Sequence, residues 1–159
     1  MKIRVGFGYD VHPLKDGNDF WLGGVKISHT KGAVGHSDAD TLIHAMCDAF
    51  LGAANLGDIG THFPDTSEEF KGIDSKILLK KVTQMLKKEG FEIGNVDCTV
   101  SLQSPKIAPY IPEMKKILAE TLKIPLKNIS IKATTTEQLG FVGREEGVCA
   151  YAVCLLMGY

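Results

Sequence analysis

The chain is poor in paired cysteines, in net charge and in long apolar runs, and each shortage removes a class of function. Cys47, Cys98, Cys149 and Cys154 are its only cysteines and form no C-x-x-C, so a thioredoxin-like redox motif and a zinc ribbon are unsupported. Each lies in an apolar or alternating stretch, as reduced core thiols do. Eighteen Lys and Arg against nineteen Asp and Glu leave a net charge of −1, which provides no basic field for nucleic acid. Any phosphate must therefore be held locally, by a metal, backbone N–H groups and a few placed cations. No long uncharged stretch is present, so a membrane span is not expected. The first residues hold a Lys and an Arg without the apolar core of a signal peptide, and a cytoplasmic location is the expectation. Gly6-Phe7-Gly8 lacks the third glycine of a dinucleotide loop, and G-x-x-x-x-G-K-[ST], H-E-x-x-H and H-x-E with a later P-C-x-x-C are all missing.

What is present suits one compact domain over residues 1–159, with 44% hydrophobic and 23% charged residues. Ile3 to Tyr9 alternates like a strand, and Phe20 to Leu22 with Val25 to Ile27 reads as a hairpin across Gly23-Gly24. From Asp38 to Ala53 the residues Leu42, Ala45, Met46, Ala49 and Phe50 follow helical spacing, with Ser37 or Asp38 available as the cap. Gly52 to Gly72 is too long for an ordinary connection, which marks it as functional or mobile. A second helix is predicted from about Ser75 to Glu89, with Ile77, Leu78, Val82, Met85 and Leu86 inward and Gly90 as its stop. Val96, Cys98, Val100 and Leu102 alternate as a half-buried strand. Pro112 fits the first turn of a third helix carrying Met114, Ile117, Leu118 and Leu122. Ile129 to Ala133 and Val148 to Met157 close as strands, the last apolar on both faces, as expected if a partner or helices cover each side.

Asp10-x-His12 supplies two ligand-type side chains on one side of an extended segment, and His44 on the following helix can complete a three-ligand metal set. The fourth position would stay open to substrate or water, as in a catalytic site. The plainer reading is a capping Asp and a surface or core His. Asp40 and Asp48 lie four residues to either side of His44, so one of them can accept its second ring N–H. His36 and Ser37 precede the same helix, where they and nearby N–H groups can face an anion at its positive end.

Ordered blocks along the chain carry a resemblance. They are Gly8 to His12, Leu22 to Val25, Gly35 to Asp40, Leu51 to Ala54, Leu56 to Gly60, Phe63 to Asp65, Lys71-Gly72, Gly94 to Asp97, Pro105-Lys106, Lys132 to Glu137, Leu139 to Phe141 and Gly143-Arg144. From Arg4 to Leu156 the chain resembles the 2-C-methyl-D-erythritol 2,4-cyclodiphosphate synthases of the non-mevalonate isoprenoid pathway. The resemblance implies an α+β fold, a mixed sheet with helices packed on one side, assembled as a homotrimer with active sites between subunits. It implies an intramolecular phosphoryl transfer in which the 2-phosphate of a cytidine diphosphate-methylerythritol 2-phosphate attacks the β-phosphorus and CMP leaves.

By the same resemblance Asp10, His12 and His44 hold Zn2+ or a similar cation, and Glu137 holds Mg2+ or Mn2+ at the diphosphate. His36 and Thr135 act catalytically by stabilising the transition state, and Ser37, Thr134 and Thr136 contact the phosphates. The methylerythritol is received by Asp58, Ile59 and Gly60 with Phe63, Pro64, Asp65, Thr66 and Ser67. Cytidine is received by Leu102, Gln103, Ser104, Pro105, Lys106, Ile107 and Ala108 of a neighbouring subunit, where Leu102 stands in place of a smaller residue and bears on the pocket's width. Phe141, Arg144 and Glu146 match residues lining a central trimer cavity proposed to take an isoprenoid diphosphate. A structural ion pair is the other reading of Arg144 and Glu146, and Glu145 beside them weakens anion capture. A zinc hydrolase of phosphoanhydrides and a non-catalytic binder of isoprenoid diphosphates are the alternatives from other classes.

Overall fold

The computed structural model describes Met1–Tyr159 as twelve helices and strands around one core. In chain order these are β1 (Lys2–Asp16), β2 (Phe20–Leu22), β3 (Val25–Ile27), β4 (Lys31–Ala33), α1 (Thr41–Ala53), α2 (Ile59–His62), α3 (Ser75–Lys88), β5 (Phe91–Ser101), α4 (Ile111–Leu122), β6 (Ile129–Thr134), α5 (Gly140–Gly143) and β7 (Gly147–Gly158). Five strands form a mixed sheet in the order β4-β1-β7-β5-β6, antiparallel except for the parallel pair β5 and β6. The hairpin of β2 and β3 stands apart as its own two-stranded sheet.

Helices α1, α3 and α4 cover one face of the sheet. The pleat of β1 sends its even residues towards α1, and the two closest are glycines. A Cβ at Gly6 would lie 1.9 Å from the Ala49 carbonyl oxygen, and one at Gly8 would lie 1.9 Å from that of Ala45. No other residue permits this approach of helix to strand. The alternation of Ile3, Val5, Phe7 and Tyr9 thus belongs to the opposite face, where all four are exposed. Tyr151, Val153, Leu155 and Met157 of β7 join them on that face, Val153 exposed and the others half-buried, while Val148, Ala150, Ala152, Cys154 and Leu156 are buried under the helices. Within one chain only one side of β7 is covered.

Several boundaries differ from the sequence reading. α1 begins at Thr41 and is capped by Asp40, not by Ser37 or Asp38. The Asp40 carboxylate accepts N–H groups of Ile43, Gly23 and Gly24 at 3.0, 2.9 and 2.7 Å, so one buried group both caps α1 and pins the β2–β3 turn. That carboxylate also occupies the positive end of α1, which is therefore not left for a substrate anion. β1 continues to Asp16, and β5 starts at Phe91 with a bulge between Ile93 and Asn95. The long connection after α1 contains α2 and a single 3₁₀ turn, Glu68–Phe70. In α3 the buried apolar stripe is Leu78, Leu79, Val82 and Leu86, with Met85 half-buried and Ile77 turned out at 44% exposure. α4 buries Met114, Leu118 and Leu122, and Ile117 packs partly buried against the core. All four cysteines are buried and unpaired, and burial pushes the thiols of Cys98 and Cys154 up to about 12 and about 11.

Candidate active site

Asp10 and His12 point from β1 towards α1, and α1 returns His44 to the same spot. Asp10 Oδ2 lies 2.9 Å from His12 Nε2 and 3.2 Å from His44 Nδ1, and the two nitrogens are 3.2 Å apart. A tetrahedral zinc with bonds of about 2.0–2.1 Å sets its donors about 3.3 Å apart, so one carboxylate oxygen and two imidazole nitrogens already stand near the edges of one face of such a tetrahedron. Asp10 Oδ2 is buried with no hydrogen directed at it in hydrogen-bonding geometry, despite the short distances to both rings. His12 Nδ1 is 2.9 Å from the Val34 carbonyl, which can only accept. His12 therefore carries its hydrogen on Nδ1 and turns the Nε2 lone pair to the cluster. The residues fit a divalent cation with nitrogen and oxygen ligands.

Electrostatics agree with the geometry. Burial pushes the Asp10 carboxyl up, but the close approach of His12 and then His44, and the positive charge these rings carry when protonated, outweigh it and hold the group below its ordinary value. For His12, burial works downwards, and the adjacent Asp10 carboxylate, which favours a protonated ring, and then the Val34 carbonyl together raise it.

The cluster lines a cavity of about 510 Å³. His36 and Ser37, Ile59 and Gly60 of α2, and Phe63, Pro64, Asp65 and Thr66 line it too. His36 Nε2 is 2.7 Å from the Ser67 carbonyl, and Gly72 N–H donates to the His36 carbonyl at 2.7 Å, so the 63–72 segment orients this ring. Ser67 contributes that carbonyl without lining the cavity. Asp58 is not among the lining residues. Its Oδ1 caps α2, accepting the N–H and hydroxyl of Thr61 at 2.9 and 2.7 Å, bonds that hold its carboxyl low.

The other half of the expected site lies elsewhere. Leu102, Gln103, Pro105, Lys106, Ile107 and Ala108 line a cavity of about 180 Å³ with Ala133, Thr134 and Thr135. Leu102 is 5% exposed within the core and donates its N–H to the Thr134 carbonyl at 3.0 Å, so its bulk is turned largely inwards. The Ser104–Pro105 peptide is cis, and Ser104 is not among the residues lining the cavity. Beyond β6, Thr135 Oγ1 accepts the Glu137 N–H at 3.2 Å, Thr136 donates its hydroxyl to Leu139 O at 2.7 Å, and Gln138 N–H reaches Gln103 Oε1 at 3.1 Å. Glu137 is exposed, with φ of 53°, and belongs to no ligand cluster within the chain. Asp10 pairs with Ala150, Ala150 with Val100 and Val100 with Ala133. Three strand spacings of about 4.8 Å therefore part Asp10, which lines the first cavity, from Ala133, which lines the second, by roughly 14 Å.

A model of the YgbB family matches residues 3–157. The chain is 62% identical over 156 residues to a Parabacteroides distasonis protein named 2-C-methyl-D-erythritol 2,4-cyclodiphosphate synthase, covering 98% of this chain and 97% of that one. A protein of the same name from Cytophaga hutchinsonii is 60% identical over 157 residues, covering 99% of each. The chain belongs to the YgbB family. Among solved structures, the bifunctional IspDF from Campylobacter jejuni is 42% identical with a TM-score of 0.95, covering 99% of this chain and 43% of that one. A CDP complex of IspF from Plasmodium falciparum is 36% identical with a TM-score of 0.87, covering 98% and 96%.

Within this YgbB-family site, sequence reasoning misplaced what stands behind His44. Neither Asp40 nor Asp48 accepts its second ring N–H, because Asp40 is committed to backbone N–H groups and Asp48 accepts the Ile59 N–H at 2.7 Å. Ser75 Oγ and Ser37 Oγ lie there instead, 2.9 and 3.1 Å from His44 Nε2. The sequence offers Asp38 as a cap for α1 and Ser75 as a helix start, and neither reading points to His44. No spacing rule links positions 44 and 75. At the far end of the chain, Arg144 forms a two-point ion pair with Glu146, Nε to Oε1 at 2.9 Å and Nη2 to Oε2 at 3.2 Å, and Phe141 is 39% exposed. No helix is long and apolar enough to cross a membrane.

Proposed function

We propose that this chain converts 4-diphosphocytidyl-2-C-methyl-D-erythritol 2-phosphate to 2-C-methyl-D-erythritol 2,4-cyclodiphosphate and CMP, residues 1–159 acting as one synthase domain. The convergence of Asp10, His12 and His44 in the lining of a cavity carries this reading. In the reaction an oxygen of the 2-phosphate attacks the β-phosphorus, the bond from that phosphorus to the oxygen bridging it to the α-phosphate breaks, and CMP departs with that oxygen. Such chemistry calls for alignment and neutralised charge more than for a protein nucleophile.

Asp10, His12 and His44 are the residues to hold Zn2+, and Glu137 is the one to hold Mg2+ or Mn2+. When bound, the two cations supply Lewis acidity and offset charge on the diphosphate. The protein's part is placement. His36, held by the Ser67 carbonyl, faces the 2-phosphate side with Ser37. Thr135 contributes its hydroxyl to the transition state, with Thr134 and Thr136 beside it. Asp58, Ile59 and Gly60, with Phe63 to Ser67, receive the methylerythritol, and the Leu102 to Ala108 loop takes the cytidine.

The roughly 14 Å from Asp10 to Ala133, which line separate cavities of one chain, and the uncovered apolar face of the sheet support a homotrimer in which each substrate bridges two subunits. Phe141 and Arg144 would then approach a central cavity able to take an isoprenoid diphosphate, although the ion pair with Glu146 competes for the guanidinium. A cytoplasmic location suits unpaired, buried thiols. Incubation of the zinc- and magnesium-loaded protein with the substrate under phosphorus NMR tests the reading. A cyclic diphosphate and CMP are expected. Linear phosphates would instead mean a hydrolase, and no turnover a binder.

A further inference from the structure

Only one of the two ring nitrogens of His44 faces Asp10 and His12. Nδ1 does so, while Nε2 points away, 2.9 Å from Ser75 Oγ and 3.1 Å from Ser37 Oγ. A neutral imidazole offers a lone pair on one nitrogen and a hydrogen on the other, so what lies beyond Nε2 decides whether Nδ1 can act as a ligand. Ser75 Oγ also contacts Asp38 Oδ1. A carboxylate can only accept, so the hydroxyl hydrogen lies on that contact and a lone pair of Ser75 Oγ faces Nε2. Ser37 Oγ accepts the Ala39 N–H at 3.2 Å and has a second lone pair for Nε2.

Asp38 is itself fixed from both sides. Its Oδ2 accepts the Ser75 N–H at 3.0 Å, its Oδ1 accepts the Asp40 N–H at 3.2 Å, and its own N–H donates to the Ile73 carbonyl at 3.1 Å. The approach to α1 and the first turn of α3 therefore hold the carboxylate in place. Ser75 is fully buried, so water does not replace it.

We propose that Asp38 and Ser75 are positioning residues for the metal site: the chain from His44 Nε2–H through the Ser75 hydroxyl to the Asp38 carboxylate keeps the hydrogen on Nε2 and presents the Nδ1 lone pair to the cation. This rests on the reading of Asp10, His12 and His44 as ligands. It gives α3 a role in the site although none of its residues is a metal ligand, and it makes the tautomer of His44 a property of a contact between two helices.

Nitrogen-15 NMR of the zinc-loaded protein, with labelled histidine, reads the tautomer without any substitution. Nε2 of His44 is expected to bear the hydrogen and Nδ1 the metal. The reverse assignment would overturn the proposal. Chelator competition on Ser75→Ala is expected to show zinc held 10- to 100-fold more weakly, with the melting temperature of the metal-free protein near the parent's, and Ser75→Thr is expected to restore affinity. Unchanged zinc affinity in folded Ser75→Ala would also overturn it, and if that variant does not fold the NMR assignment decides. His44→Ala separates the two readings. Zinc retained in His44→Ala sinks the ligand set itself, whereas zinc lost there but held normally by Ser75→Ala sinks only the role of Ser75 and Asp38.

Discussion

His44, proposed here as a metal ligand, stands on a helix that does not need it for folding. Leu42, Met46, Ala49 and Phe50 of α1 are fully buried, and their contacts hold the helix whatever stands at position 44. His44→Ala is therefore expected to fold, to lose zinc on metal analysis, and to lose about three orders of magnitude in turnover, the equivalent of several kcal/mol of charge stabilisation. Full zinc occupancy would remove the residue from the site. The neighbouring pair of Asp10 and His12 makes a second expectation about pH. In the metal-free protein Asp10 is held low, so its contribution to stability is present above the ordinary carboxylate value of about 3.9 and fades as pH falls through the lowered one. His12 is held high, so its contribution is complete below about 6.5 and fades as pH rises through the raised value. Zinc competes with the proton on His12 and binds better as pH rises. The gap in melting temperature between zinc-loaded and metal-free protein should widen from about pH 6 to about pH 8. Thermal scans across that range showing a constant gap would contradict it.

Helix and strand meet at distances set by the smallest side chains. Gly8→Ala places a Cβ 1.9 Å from the Ala45 carbonyl oxygen, one residue from His44, so α1 must move off β1. A loss of about 3 kcal/mol in chemical denaturation is expected, together with weaker zinc binding, because the shift parts His44 from Asp10. Unchanged stability and affinity would show that the two elements have more slack than their packing implies. The elements were legible where one period dominates. The buried stripe of α1, the hairpin at Gly23-Gly24, the left-handed stop at Gly90 and the alternation of β5 all follow from local rules. The cluster of Asp10, His12 and His44 was legible as well, because Asp-x-His on a strand is local and His44 lies on the next helix in sequence. The cap of α1 was not, since Asp40 owes its place to two N–H groups on a distant hairpin. Nor was the outward turn of Ile77, or the Ser75 contact, since both depend on how α3 lies across the molecule. The face served by Ile3, Val5, Phe7 and Tyr9 was ambiguous for a similar reason: alternation shows two faces without saying which one the helices cover.

At the scale of the whole molecule, the uncovered sheet face and the separation of the two cavities both bear on the proposed trimer. Val5 is 68% exposed in the single chain. Val5→Glu is expected to leave monomers on sedimentation while sparing the fold, because the face it alters has no helix upon it. A trimer surviving that charge would place the interface elsewhere. Mixing gives the complementary test. His44→Ala and Lys106→Ala chains, each impaired, are expected to recover partial activity as mixed trimers, since an intact metal cavity can then meet an intact cytidine loop at some interfaces. Verified mixed trimers no more active than either parent would confine each site to one chain. Underlying both tests is the pleat of β1, whose odd residues form the bare face and whose even residues are Gly6, Gly8, Asp10 and His12. The strand carries two messages in alternate letters. Inserting or deleting one residue ahead of Asp10 would not weaken one message and spare the other: it would exchange them, sending large apolar side chains against α1 and the glycines outwards. A change of length in this strand is thus expected to cost the proposed interface and the metal cluster together, whereas a substitution can touch either one alone.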